Sequence, residues 1–158
     1  HHPFYFISQC DEIWIRNGCH VNKKKYHEKF EGNLLNASLQ RCLISPSCVI
    51  MYKNIFNSFG GFDEELRACE DYDLWLQITR HYPIGFNQQK DTIRYAGHEG
   101  QLSNQPCLDN YRIKSLKKML NNEININIKT SIKNILTIKN QIMMNGRKKR
   151  LMQKDKNS

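Results

Sequence analysis

No window of the 158 residues reaches the ~18 consecutive apolar positions that a membrane-spanning helix needs. No phenylalanine, tryptophan or tyrosine follows Tyr111. The C-terminal third therefore lacks the rings on which single-stranded nucleic acid stacks. The six cysteines, at 10, 19, 42, 48, 69 and 107, contain no CxxC pair. That argues against a zinc knuckle or a thioredoxin-type motif. The chain opens His1-His2-Pro3, with no initiator methionine and no apolar leader. The reading is a shortened gene product with free thiols in a reducing compartment, the cytoplasm. No internal repeat is present.

What is there is split by charge. The formal charge is +9. Residues 111–158 hold 13 Lys and Arg against Glu123 and Asp155. Residues 1–110 hold 11 Lys and Arg against 13 acids. The basic character belongs to the tail, and the first two thirds are nearly neutral. At this length one domain with a real core is expected.

Residues 4–16 mix aromatic and β-branched side chains and read as a strand. Asn17-Gly18 is a turn signal. Residues 21–31 read as a lysine-rich surface loop. Asn33 is placed to cap a short helix over 34–41. Ser45-Pro46-Ser47 interrupts an apolar run, because proline gives a ladder no donor. Residues 48–52 then read as a buried strand. Asn54 opens a helix over 55–59, ended by Gly60. Leu74, Trp75 and Ile78 mark the apolar side of a helix over 71–81, stopped by Pro83. Residues 84–86 and 92–95 suggest two short strands, and 108–120 a helix. Asn, Ile and Lys dominate 121–145, a helical extension, and Asn145-Gly146 is expected to break it. Residues 146–158 read as a basic disordered tail.

The strongest constellation of chemical groups is acidic: Asp63, Glu64, Glu65, Glu70, Asp71 and Asp73. Acids gather in the first turn of a helix because its free N–H groups and dipole stabilise them. They also suit chemistry. A carboxylate at a helix N-terminus, facing a cleft, can take a proton from a sugar hydroxyl as it attacks an anomeric carbon.

The runs Gly60-Gly61-Phe62-Asp63-Glu64 and Glu70-Asp71-Tyr72-Asp73-Leu74-Trp75 resemble the family 2 glycosyltransferase pattern. So do Cys42–Met51, Gln9–Gly18 and Ala96–Ser103, in the family order over roughly residues 4–120. The resemblance implies an α/β fold. The chain would be the C-terminal, acceptor-side half of a nucleotide-sugar transferase domain of glycosyltransferase A type, followed by a helical, basic tail. It implies Asp71 as general base, with Glu70 as its fallback. It places Asp63, Glu64, Gly61, Ser47 and Gln101 at the substrate and His98 as a metal ligand. The implied cofactor is a divalent metal, Mn2+ or Mg2+, in the complete enzyme. Trp14 and Trp75 read as core residues rather than sugar platforms.

Two family features do not precede His1: the loop that holds the nucleotide base and the DxD motif that holds metal and diphosphate. Asp71-Tyr72-Asp73 has the DxD form but follows the Glu-Asp position, so it is not assigned that role. The expected partners are therefore a missing N-terminal nucleotide-binding half, a nucleotide-sugar donor, and a glycan, lipid-linked or protein acceptor. The isolated chain is expected to have little or no transferase activity of its hexosyltransferase type. The alternatives are a non-catalytic remnant of a split gene, or a binding protein whose basic tail meets an anionic surface. The tail would then make peripheral contact at the inner face of the membrane. Nucleic acid is not expected as a partner.

Overall fold

A computed structural model describes residues 5–97 and 108–156. It is a mixed α/β structure with one four-stranded sheet. The chain divides into two units, His1–Gln105 and Pro106–Ser158.

In the first unit, β1 (Ile7–Arg16) is the central strand. Asn17 and Gly18 take positive φ, 50° and 78°, and turn it into β2 (Cys19–His20). Two consecutive positive-φ residues make the two-residue hairpin turn that matches strand twist, which is why Asn-Gly is legible as a turn. The pairing Arg16 with Cys19 fixes the register. The start of β1 pairs antiparallel with β3 (Val49–Met51), through Ile7 and Met51. Its other edge pairs in parallel with β4 (Gly85–Ala96) along its length.

The two short strands expected at 84–86 and 92–95 are one strand. β4 pairs Asn87 with Cys10, then Lys90 with Asp11 and Thr92 with Glu12. The intervening residues are looped out, and the pairing resumes beyond them. A polar stretch such as Asn87–Asp91 reads as a break in sequence, because a bulge needs no apolar alternation.

Two short α-helices and one longer one flank the sheet. α1 (Leu35–Gln40) is entered by Asn33, whose side chain accepts from the Leu35 N–H at 3.2 Å. α2 (Lys53–Ser58) starts one residue before Asn54, so Asn54 is not its cap. α3 (Glu70–His81) ends at Tyr82, before Pro83, as expected. It is the organising helix: Leu74, Trp75 and Ile78 pack with Ile7, Leu34, Ile44, Ile55 and Ile84. Tyr72 is fully buried, and its hydroxyl donates to the Leu39 carbonyl at 2.8 Å, tying α3 to α1.

In the second unit, α4 (Leu108–Asn122) and α5 (Ile126–Lys156) run back along one another. Ile113, Leu116 and Met119 are buried on α4, and Ile132 and Leu136 on α5. Asp109 near the start of α4 accepts from Lys139 at 3.1 Å. Asn125 caps α5 by accepting from the Asn127 N–H at 2.9 Å. The expected extension and tail are thus one helix, which runs through Asn145-Gly146 to Lys156. A glycine inside a helix costs only about 1 kcal/mol, too little to end one already nucleated by packing. Among the described residues, no helix is long and apolar enough to cross a membrane.

Leu74 is wholly buried in the first unit's core. Leu74→Ala is expected to lower unfolding free energy by about 2–5 kcal/mol in urea titration. An unchanged midpoint would mean that α3 is not the core helix.

Candidate functional site

The candidate site lies where the second half of β1, the segment 41–48, β4 and the N-terminus of α3 meet. Glu12 is 3% exposed, a carboxylate sunk into the first unit. Strand alternation puts it on the same side of β1 as Trp14. Its partners come from three other segments. Cys48 donates to Glu12 Oε2 at 3.1 Å and Ser45 to Oε1 at 3.3 Å. Lys29 Nζ lies 3.6 Å from Oε1, with both side chains 2% exposed. Arg94 of β4 approaches the same oxygen at 4.0 Å. Burial pushes the Glu12 carboxyl up, but the Cys48 hydrogen bond and the charges of Lys29 and Arg94 outweigh it. The net effect holds the carboxyl below its usual range. The same environment pushes the Cys48 thiol up, by burial and by its hydrogen bond to Glu12.

This cluster sets where the 41–48 segment sits. Ser45-Pro46-Ser47 is not an open loop: Pro46–Cys48 is one 3-10 turn that delivers Cys48 to Glu12 and leads into β3. The Ser47 carbonyl accepts from Thr92 of β4 at 3.3 Å, while the Ser47 side chain is exposed and lies against the Cys48 thiol. At the other end of the segment, Cys42 donates to Asp71 Oδ2 at 3.5 Å.

Asp71 stands in the first turn of α3, with Glu70 before it and Asp73 after. Both Glu70 and Asp71 are half-buried. Asp73 is buried instead, and accepts from Gln77 at 2.9 Å. Of the Asp71-Tyr72-Asp73 triplet, Asp71 is therefore half-buried while Asp73 lies in the interior. Cys69, the residue that opens α3, has φ +62°, a left-handed conformation costly for a side chain larger than glycine's. That strained entry aims the Glu70-Asp71 pair.

Gly60 and Gly61 both take positive φ, 78° and 71°. A Cβ on Gly61 would also stand 3.0 Å from the Phe56 ring. Asp63 closes the next turn by accepting from the Glu65 N–H at 3.0 Å, and Glu64 beside it is exposed. Asp63, Glu64 and Gly61 thus lie on the approach to α3, where the sequence placed them. Gln101 and His98 fall outside the described residues. Trp75 is a core residue as expected. Trp14 is only half-buried, with Arg94 lying 5.1 Å over its ring and the tilted His27 ring centred 4.5 Å away.

Among the described residues, no three His, Cys, Asp or Glu side chains converge as metal ligands. These residues do not by themselves fit a divalent ion.

Sequence reasoning missed Glu12, Lys29 and Arg94. Glu12 stands in a run of strand-forming residues that includes Ile13, Trp14 and Ile15, where alternation would place a charge in solvent. The one available signal was its equal spacing with Trp14 on the strand face.

The chain is 41% identical over 59 residues to a Rickettsia conorii protein named an uncharacterized glycosyltransferase. It is 39% identical over 59 residues to a Rickettsia felis protein of the same description. Each match covers 35% of this chain and 10% of the relative, so the chain spans about a tenth of the length of the curated relatives it matches. No family model matches, and no solved structure matches.

A group whose folded pKa is depressed contributes stability above its unfolded value, and that contribution is lost as pH falls. Glu12 is such a group, with an ordinary value of 4.5. Glu12→Gln is expected to cost about 3 kcal/mol at neutral pH, because it leaves Lys29 buried without its counter-charge. It should also flatten the loss of stability below pH 4.5. Equal acid sensitivity in the two proteins, measured by thermal melts across pH, would contradict this assignment.

Proposed function

We propose that this chain is the acceptor-side part of a family 2 glycosyltransferase and that Asp71 is its general base. The observation that supports the reading is the placement of Asp71. It stands at the head of a well-packed helix, half-buried, between the Gly60-Gly61 turn and the 41–48 segment. The partial likeness to proteins named glycosyltransferases supports the same class.

On this reading an acceptor hydroxyl is held near the loop that carries Asp63 and Glu64. Asp71 takes its proton as the oxygen attacks the anomeric carbon of the donor sugar. The nucleoside diphosphate leaves from the opposite face, and the anomeric configuration inverts. One correctly placed carboxylate is enough for that displacement, and general-base catalysis of this kind contributes about 10²–10⁴-fold. Glu70 is the neighbour that would assume the role if Asp71 faced away. The nucleoside of the donor and any divalent ion belong, on this reading, to residues other than the described ones, and no step above runs through a metal.

The alternative, a binding protein acting through its basic helix on anionic surfaces, has less support. At about 100° per residue, the Arg147–Arg150 run points to every side of α5. Ile142, Met144, Leu151 and Met152 are exposed on one half of the helix, but Lys148 and Lys149 fall among them. A helix that lies in a membrane surface needs the two kinds of side chain separated.

The test uses the complete protein that contains this chain. Asp71→Asn should reduce sugar transfer by about 10²–10⁴-fold, while the affinity for the donor stays within about twofold. Transfer at the parent rate would remove Asp71 from the mechanism.

A further inference from the structure

Beside the Glu12 cluster lies a ladder of rings and cations that the proposed reaction does not use. Trp14 and His27 lie with centroids 4.5 Å apart and planes tilted by 43°, and His27 and Tyr26 with centroids 3.8 Å apart and planes tilted by 49°. Arg94 lies 5.1 Å over the Trp14 ring, and Arg41 lies 5.7 Å over the Tyr26 ring. Lys24 immediately precedes the short 3-10 turn Lys25–His27 that carries Tyr26 and His27.

The charges of this ladder do not balance. Lys23 is paired with Asp11 and Lys29 with Glu12. Arg94 only shares Glu12, at 4.0 Å and on the oxygen that already faces Lys29. Among the described residues, Arg41 and Lys24 have no carboxylate within ion-pair distance. Burial, and then the charges of Arg41, Arg94 and Lys24, hold the His27 imidazole below its usual range; Glu12 opposes them more weakly. The two guanidiniums thus lie over the rings on either side of His27, and the charge of Lys24 acts on the same imidazole. His27 Nδ1 is also buried with no hydrogen-bond partner.

The patch is open to solvent. Lys24 is exposed, Tyr26 is 53% exposed, and the Arg94 side chain is 37% exposed. Cation–ring contacts alone account for single arginines at such sites. They do not account for gathering three cations about one group of rings, where like charges repel. A ligand of two negative charges with several acceptor oxygens relieves that repulsion and suits guanidinium donors.

We propose that Lys24, Arg41 and Arg94, set around the Trp14, His27 and Tyr26 rings, form a binding site for a phosphate group. Arg41 directly precedes Cys42, whose thiol donates to Asp71 at 3.5 Å. The phosphate site and the proposed base thus share one segment of chain. The phosphate belongs either to the diphosphate of the donor or to a phosphorylated acceptor. Only that choice rests on the transferase reading, since binding is measured without any transfer.

The experiment titrates the 158-residue chain with inorganic phosphate at constant ionic strength, against chloride, by calorimetry and by tryptophan fluorescence. Saturable binding is expected, weakened about tenfold in Arg41→Gln and in Arg94→Gln. Arg41→Lys, which keeps the charge but loses the guanidinium fork, should bind between the parent and Arg41→Gln. Lys24→Gln alters an exposed residue that the fold does not need, and should weaken binding about threefold. Circular dichroism of each variant separates lost binding from lost folding. No saturable binding to the parent chain, or equal binding by parent, Lys24→Gln and Arg41→Gln, overturns the site. UDP and glycerol 3-phosphate are the two further arms. Tighter binding of UDP than of phosphate assigns the site to the donor, and tighter binding of glycerol 3-phosphate assigns it to the acceptor. If the phosphate site stands while Asp71→Asn leaves transfer unchanged, the transferase mechanism fails and the site does not.

Discussion

A single buried carboxylate, Glu12, holds the working half of this structure in place. Taking it out of water is unfavourable by several kcal/mol in itself, and it is tolerated only because every side of it is answered. Lys29 answers the charge; Cys48 and Ser45 supply hydrogen bonds; Arg94 closes the edge from β4. Those partners come from three separate segments of the chain. The cluster therefore fixes the register of the 41–48 segment against the sheet. That segment in turn carries Cys42 to Asp71 and Arg41 to the ring ladder.

The arrangement divides labour between two kinds of interaction. The apolar core under α3 gives the first unit its stability and seats the helix by close packing. The polar cluster is directional, because a carboxylate with four partners fits one geometry only. A site that must aim one carboxylate at one hydroxyl needs the second kind. The strained Cys69 at the head of α3 belongs to the same logic: the left-handed residue is held there by the packing of Tyr72, Leu74 and Trp75 behind it.

What could be read from sequence was what local chemistry decides. Asn17-Gly18 made its turn, Pro83 followed the end of α3, and the apolar spacing of Leu74, Trp75 and Ile78 found the buried face. The positions of Asp63, Glu64, Glu70 and Asp71 around the Gly-Gly turn were legible for the same reason. What escaped was decided by distant partners. β4 is one strand because β1 pairs with both of its halves across a bulge, and nothing in Asn87–Asp91 announces that. Lys29, in what reads as a lysine-rich surface loop, is buried because Glu12 faces it from seventeen positions earlier. The helix through Gly146 continues because α4 and Asn125 nucleate it upstream.

The most direct test of the central claim is a double-mutant cycle on Glu12 and Lys29, using Glu12→Gln, Lys29→Met and the pair, each unfolded in urea at neutral pH. Each single change leaves a buried group without its counterpart, so each should be costly, while the double change should recover much of the loss. A coupling of about 2 kcal/mol or more is expected from two side chains in such contact. A coupling near zero would mean that the carboxylate is not what holds the 41–48 segment, and that the Glu12 cluster is not the structural basis of the site.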